Sequence, residues 1–166
     1  LKAYYATLPA RGFALWMPYQ YLGMSFPGNT QSGFLYPPNF LFFLGSTTTF
    51  FNLLQLAHFV IAAFFTYLYA KLVTGSRIAG VFAGFVFAFS GFLIDHKGHV
   101  AMANAAVWLP VLMYLYERIK RDGKPRYAIW AGLVLGLQIL AGCFQICVLT
   151  YLVLGSLILC DTVRVG

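Results

Sequence analysis

Three polar clusters interrupt an otherwise apolar chain, and each holds residue types that could do chemistry. In "DHKGH", Asp95 stands beside His96 and His99. A carboxylate next to imidazoles can accept a proton from a hydroxyl or hold a divalent cation. Asp95 and His99 are therefore the candidates for catalysis and His96 for substrate binding; a solvated turn between helices explains the same residues. Asn52, Gln55 and His58 recur every three residues and so share one helix face. Ionisable groups inside a membrane are functional candidates by default, which points to His58, whereas helix–helix hydrogen bonding accounts equally for Asn52 and Gln55. Asn29, Gln31, Tyr36 and Asn39 lie among aromatics. Aromatic faces beside amides can hold a sugar by stacking and hydrogen bonding, and an interfacial aromatic belt is the alternative. Gln145 stands in the last apolar run, where it could cap a freed backbone group or touch a substrate.

The solvent for these clusters is set by composition. The chain has 166 residues, of which 61% are hydrophobic and only 9% charged, against roughly a quarter charged in a soluble domain. So few charges cannot cover a water-facing surface, and lipid is the expected surrounding. The net charge of +7 does not point to nucleic acid, because the basic residues sit in short clusters between apolar runs, as topology determinants do. Cys143, Cys147 and Cys160 all lie in apolar runs, which argues against a disulfide framework. Cys143 and Cys147, four apart, have no His, Asp or Glu to complete a metal site. No cofactor motif is evident: there is no Walker motif, no Gly-rich dinucleotide fingerprint and no Ser–His–Asp spacing. The chain begins with Leu1 and stops just after an apolar run, the pattern expected of a fragment truncated at both ends.

A crossing helix needs about 20 apolar residues. The expected spans are residues 50–70, 78–94, 100–116, 127–141 and 146–161. The last two come from one apolar run, Tyr127 to Cys160, which as a single helix would be about 51 Å long and should break near "AGCFQ". Pro110 frees the carbonyl of Ala106 and should kink the third span. "ERIKRDGKPR" reads as a charged loop. Gly80, Gly84, Ala88 and Gly91 fall on one helical face, and Gly132 and Gly136 repeat the pattern; small residues let membrane helices approach closely. The expected fold is all-α and polytopic. About five transmembrane helices (residues 50–166) follow an outer juxtamembrane segment of short helices and turns (residues 1–49).

Lys71, Arg77, Arg118, Lys120, Arg121, Lys124, Arg126 and Arg164 would share one side, and Lys2, Arg11 and Lys97 the other. Eight against three places the first group in the cytoplasm. Residues 1–49, "DHKGH" and "GCFQ" then gather on the outer face.

The order of motifs resembles that of bacterial YfhO-type membrane proteins. "LWMPYQYLGMSFPGNTQSGFLYPPNFLFFL" is similar to their first outer-loop pattern, with Trp16, Pro18, Gly23, Gln31, Gly33, Tyr36, Pro37 and Asn39 matching. "AGVFAGFVFAFSGFLIDHKGHVAMANAAVWLPVLMYLYER" and "GLVLGLQILAGCFQ" follow in the family's order. Where that family often has Gly-His-x-Gln, this chain has Gly142-Cys143-Phe144-Gln145. The resemblance implies a GT-C type glycosyltransferase fold and transfer of a sugar from a polyprenyl-phosphate carrier. The acceptor would be a cell-envelope glycan or teichoic-acid-type polymer at the outer face of the bacterial plasma membrane. It implies a main acidic base upstream of Leu1, leaving Asp95 a secondary or metal-linked role. Asn29, Gln31, Tyr36, His58, His96 and Gln145 would contact substrate. A transporter or flippase, or a non-catalytic envelope-assembly subunit, is the alternative.

Overall fold

A computed structural model describes residues 16–17, 22–25, 28–44 and 47–165. Lys2 and Arg11, two of the three basic residues expected on the outer side, lie outside the described residues. The first helix, α1 (Thr47–Thr74), contains neither proline nor glycine and runs unbroken for 28 residues. It stops where Gly75 takes φ +72°. Ser76 then caps α2 (Arg77–Ala88), accepting from the Ala79 amide at 3.3 Å.

The single span expected over residues 78–94 is divided. The helix ends at Phe89, and the Ser90 hydroxyl accepts from the Leu93 amide to start α3 (Gly91–Asp95). The physical cause is a serine side chain that competes for backbone donors just before a glycine. A 3-10 turn, His96–Gly98, leads into α4 (Val100–Ala106). Val107 separates α4 from α5 (Trp108–Asp122), beside the Ala106 carbonyl that Pro110 cannot satisfy. The expected charged loop is mostly helix. Glu117 and Arg121, and Arg118 and Asp122, pair across one turn at 2.7 and 2.8 Å. Only Gly123, at φ +62°, and Lys124 separate α5 from α6 (Pro125–Leu140), which opens with proline at its first position. A turn over 141–143 joins α6 to α7 (Phe144–Val165).

Four stretches are long and apolar enough to cross a membrane: Thr48–Thr74, Arg77–Gly98, Val100–Asp122 and Phe144–Val163. The span expected over residues 127–141, α6, has 16 residues and is only about 24 Å long, short of the roughly 30 Å of hydrocarbon. Its two ends nevertheless reach opposite ends of the bundle. α7 starts beside Thr30 and finishes with Asp161 2.6 Å from Lys120, near the end of α5. α6, joining α5 to α7, therefore runs between the same two levels. Large apolar side chains face outward all round, among them Ile78, Phe82, Phe85, Ile129, Leu133 and Leu152, as befits helices surrounded by lipid. Apart from a short antiparallel pair, Trp16–Met17 with Met24–Ser25, in the segment expected to form short helices and turns, the described chain is helical, and its four long apolar stretches are those of an all-α membrane protein.

Two of the contacts that hold the bundle join α1 to its neighbours. Val111, Leu112 and Leu115 of α5 pack with Val134 of α6 against Ile61 and Phe65 of α1. Gly80, Gly84 and Ala88 are buried where α2 meets α1. A Cβ on Gly84 would stand 2.6 Å from the Ala63 carbonyl oxygen. Gly91 faces open space and takes no part in this seam, and Gly132 and Gly136 likewise meet nothing within 4 Å. Gly84→Val should force α1 and α2 apart and cost about 1–3 kcal/mol. Gly132→Val carries a similar helix-propensity change without the clash. A lower thermal midpoint in detergent for the first than for the second is expected; equal midpoints would show that the seam does not close on Gly84.

Candidate functional site

The end of the bundle opposite the Lys/Arg cluster gathers residues 28–44, the His96–Gly98 turn and the 141–143 turn, and is called the loop end below. Its folding begins with glycine and proline. Thr30–Ser32 forms a 3-10 turn that closes at Gly33, φ +56°, and Pro37–Leu44 forms a longer one. Tyr36, preceding proline, is held out of the helical region and links the two turns. Its amide donates to Gly33 O and its carbonyl accepts from the Asn39 amide. Asn39 Nδ2 also donates to Gly33 O at 2.8 Å. A segment too broken for a long helix is thus internally hydrogen-bonded, satisfying its own backbone.

Tyr36 fastens this segment to the helices. Its ring is fully buried and its hydroxyl lies 2.6 Å from His58 Nε2 and 3.0 Å from Trp108 Nε1. His58 Nδ1 is 2.6 Å from the Leu54 carbonyl, which can only accept. Nδ1 therefore carries a proton, and the order of donation follows. Trp108 Nε1–H donates to the Tyr36 oxygen, the Tyr36 hydroxyl donates to His58 Nε2, and Nδ1–H donates to Leu54 O. Each proton has one acceptor when the imidazole is neutral; a proton on Nε2 would make the Tyr36 oxygen an acceptor there and leave the hydroxyl hydrogen without a partner. Burial pushes the Tyr36 phenol well above its ordinary value, more than the Trp108 bond lowers it, so it stays a donor. The cluster joins the loop to α1 and α5 in one buried network.

Two further polar groups lie close by. Gln55 Nε2 reaches Asn104 Oδ1 at 3.5 Å. Gln138 of α6, fully buried, donates from Nε2 to the Ala105 carbonyl at 3.0 Å and to Thr150 Oγ1 at 2.8 Å. Trp108, Asn104, Gln138 and Thr150 are absent from the sequence-derived candidates. Asn104, Gln138 and Thr150 carried a usable signal, since polar side chains inside apolar helices must find one another. Trp108 carried none, because an indole in an apolar run reads as packing.

A cavity of about 140 Å³ opens at the edge of this end, lined by Asn29, Thr30, Ser32, Leu35, Ile139 and Leu140 among others. Ser32 Oγ is buried without a hydrogen-bond partner. The cavity has polar groups from the loop on one side and apolar side chains of α6 on the other.

The remaining candidates do not converge on it. Tyr36 and His58, expected as substrate contacts, are turned to each other and buried. Gln31 and Asn52 are exposed. Asp95 is 86% exposed at its side chain. His96 donates from Nδ1 to the Phe92 carbonyl and stacks on the Phe92 ring at 4.5 Å. His99 stands at the N-cap of α4 without capping it. Gln145 is exposed on the first turn of α7 and does not cap the break, which is made by Gly142 at φ +93°. Cys147 Sγ donates to Gln138 O at 3.5 Å. Among the described residues no three His, Cys, Asp or Glu side chains come together as metal ligands.

No family model matches the chain, and no curated protein or solved structure matches it.

Proposed function

We propose that the chain is the carrier-docking part of a membrane glycosyltransferase of YfhO and GT-C type. It would use a sugar on polyprenyl phosphate, with a cell-envelope glycan or teichoic-acid-type polymer as acceptor. The supporting observation is the two-sided cavity: Asn29, Thr30 and Ser32 offer hydrogen bonds beside the apolar Leu35, Ile139 and Leu140. That pairing suits an amphiphile whose polar head meets the loop while its hydrocarbon runs along α6 into lipid. The excess of Lys and Arg at the opposite end favours a cytoplasmic placement of that end, which in this reading puts the cavity at the outer face of a bacterial plasma membrane. The network of Tyr36, His58 and Trp108 holds the loop in place; Asn29 and Ser32 make the contacts. The carboxylate that would deprotonate the acceptor is not in this cluster.

One observation favours a second reading. Among the described residues the only carboxylate at the loop end is Asp95, directed into solvent, which suits a non-catalytic assembly subunit that binds the same carrier. A transporter or flippase is less well served. Such proteins place ionisable groups in a cavity near the midplane, and His58 is enclosed with both nitrogens already hydrogen-bonded.

The experiment uses the full-length protein in membranes, given labelled polyprenyl-phosphate sugar and a photoreactive polyprenyl phosphate. Label transfer to polymer and crosslinking within residues 28–44 are expected, with Asn29→Ala lowering kcat/KM about three- to tenfold through KM. Crosslinking without transfer would select the assembly subunit. Absence of both, with folded protein, would sink the carrier-docking reading.

A further inference from the structure

At the opposite end of the bundle a second cavity, about 350 Å³, opens between the end of α1 and α5. Leu68, Lys71, Leu72, Gly75, Tyr114 and Arg118 line it. Three features define what it would take. Lys71 has no carboxylate within ion-pair distance among the described residues; its Nζ lies 5.6 Å from the Tyr67 ring centroid. Arg118 spends one terminal nitrogen on Asp122, at 2.8 Å, and Tyr127, at 2.7 Å. Its Nε is buried and has no acceptor. A buried guanidinium N–H left without a partner is costly, so the Arg118 guanidinium is incompletely satisfied by Asp122 and Tyr127. The cavity thus presents two cations, one with an unused donor, and only Asp122 offsets them. Its other walls are leucine and tyrosine, and Val73 beside it is exposed.

We infer that this cavity binds the phosphate of an anionic phospholipid from the leaflet at the Lys/Arg-rich end. Lys71 Nζ and the Arg118 guanidinium hold the phosphate oxygens, and the acyl chains lie along Leu68 and Leu72. Basic pockets between membrane helices are suited to such head groups, and the apolar walls favour a lipid over a free ion. Gly75 lines the cavity with no side chain to fill it, and nothing lies within 4 Å of where a Cβ would be. The inference is independent of the loop end and holds whether or not that end transfers sugar.

The test uses the whole protein in nanodiscs, of phosphatidylcholine alone or with phosphatidylglycerol, with bound lipid measured by native mass spectrometry. Retention of phosphatidylglycerol is expected. Lys71→Gln should weaken it about fivefold. Lys124→Gln removes the same charge from the same end outside the cavity and should change it less than twofold. Unchanged thermal midpoints in phosphatidylcholine confirm that both variants fold. Equal losses for the two variants would mean diffuse attraction and overturn the site. Displacement of the lipid by inorganic phosphate alone would overturn the lipid assignment and make the cavity a phosphate site.

Discussion

Tyr36→Phe should destabilise the attachment of the loop by about 2–4 kcal/mol although it removes a single oxygen. The hydroxyl is the acceptor for Trp108 Nε1–H and the donor to His58 Nε2. Phenylalanine fills the same space and leaves the buried His58 and the half-buried Trp108 without a match, each costing about 1–3 kcal/mol. The loss should appear as faster proteolysis between residues 28 and 44 and a lower thermal midpoint in detergent. A double-mutant cycle isolates the cause. Trp108→Phe alone also leaves the Tyr36 oxygen one donor short. In the Tyr36→Phe background it removes an orphan already made, so the double variant should lose less than the sum of the two singles, with a coupling of about 0.5–3 kcal/mol. Strict additivity would show that the two rings do not share a hydrogen bond.

This network explains how far the site could be read from the residues alone. The run Asn52, Gln55, His58 announces a polar face on α1, and the face is real where it is buried: His58 bonds Tyr36 and Gln55 approaches Asn104. Helical spacing cannot tell which end of a stripe lies under another element, so Asn52, near the start of α1, is left exposed. The partner of His58 was legible only as one of several polar residues among aromatics, because it is 22 residues away and its placement depends on two 3-10 turns. Asp95, His96 and His99 show the opposite failure. Their proximity in sequence suggests a joint site, but a short helix followed by a 3-10 turn leaves Asp95 and His99 exposed and lays His96 back on Phe92. The apolar runs are legible in the sequence because about 20 residues of hydrocarbon-compatible sequence leave few choices. The interruptions are less legible, because a helix break at Ser90, or helix continuing through "ERIKRD", turns on one cap or a few charge pairs worth about 1 kcal/mol.

Gly142→Ala should have the largest effect on the loop end. Gly142 sits at φ +93°, where a side chain is strained, and a Cβ there would overlap the carbonyl of Thr30, with Gln31 Cα 3.2 Å away. Neither obstacle is a flexible side chain; both are backbone of the 3-10 turn that supplies Asn29 and Ser32 to the cavity. The chain must either distort the turn between α6 and α7 or lift the loop, and the loop has the fewer buried contacts to lose. A total cost of about 3 kcal/mol or more is expected, roughly 1–2 kcal/mol from the left-handed backbone and the rest from undocking. Gly123→Ala separates the two. Gly123 also has positive φ, +62°, but nothing lies within 4 Å of its would-be Cβ, so it should show the backbone cost alone. Hydrogen exchange at the Ser32, Gly33 and Tyr36 amides should rise sharply in Gly142→Ala and stay unchanged in Gly123→Ala. Were the two variants equally stable and equally protected, the loop would not rest on the 141–143 turn, and the cavity between them, with the carrier-docking function built on it, would be lost. A selective opening would instead tie the docking cavity to one glycine hydrogen, and carrier crosslinking should fall in the same variant.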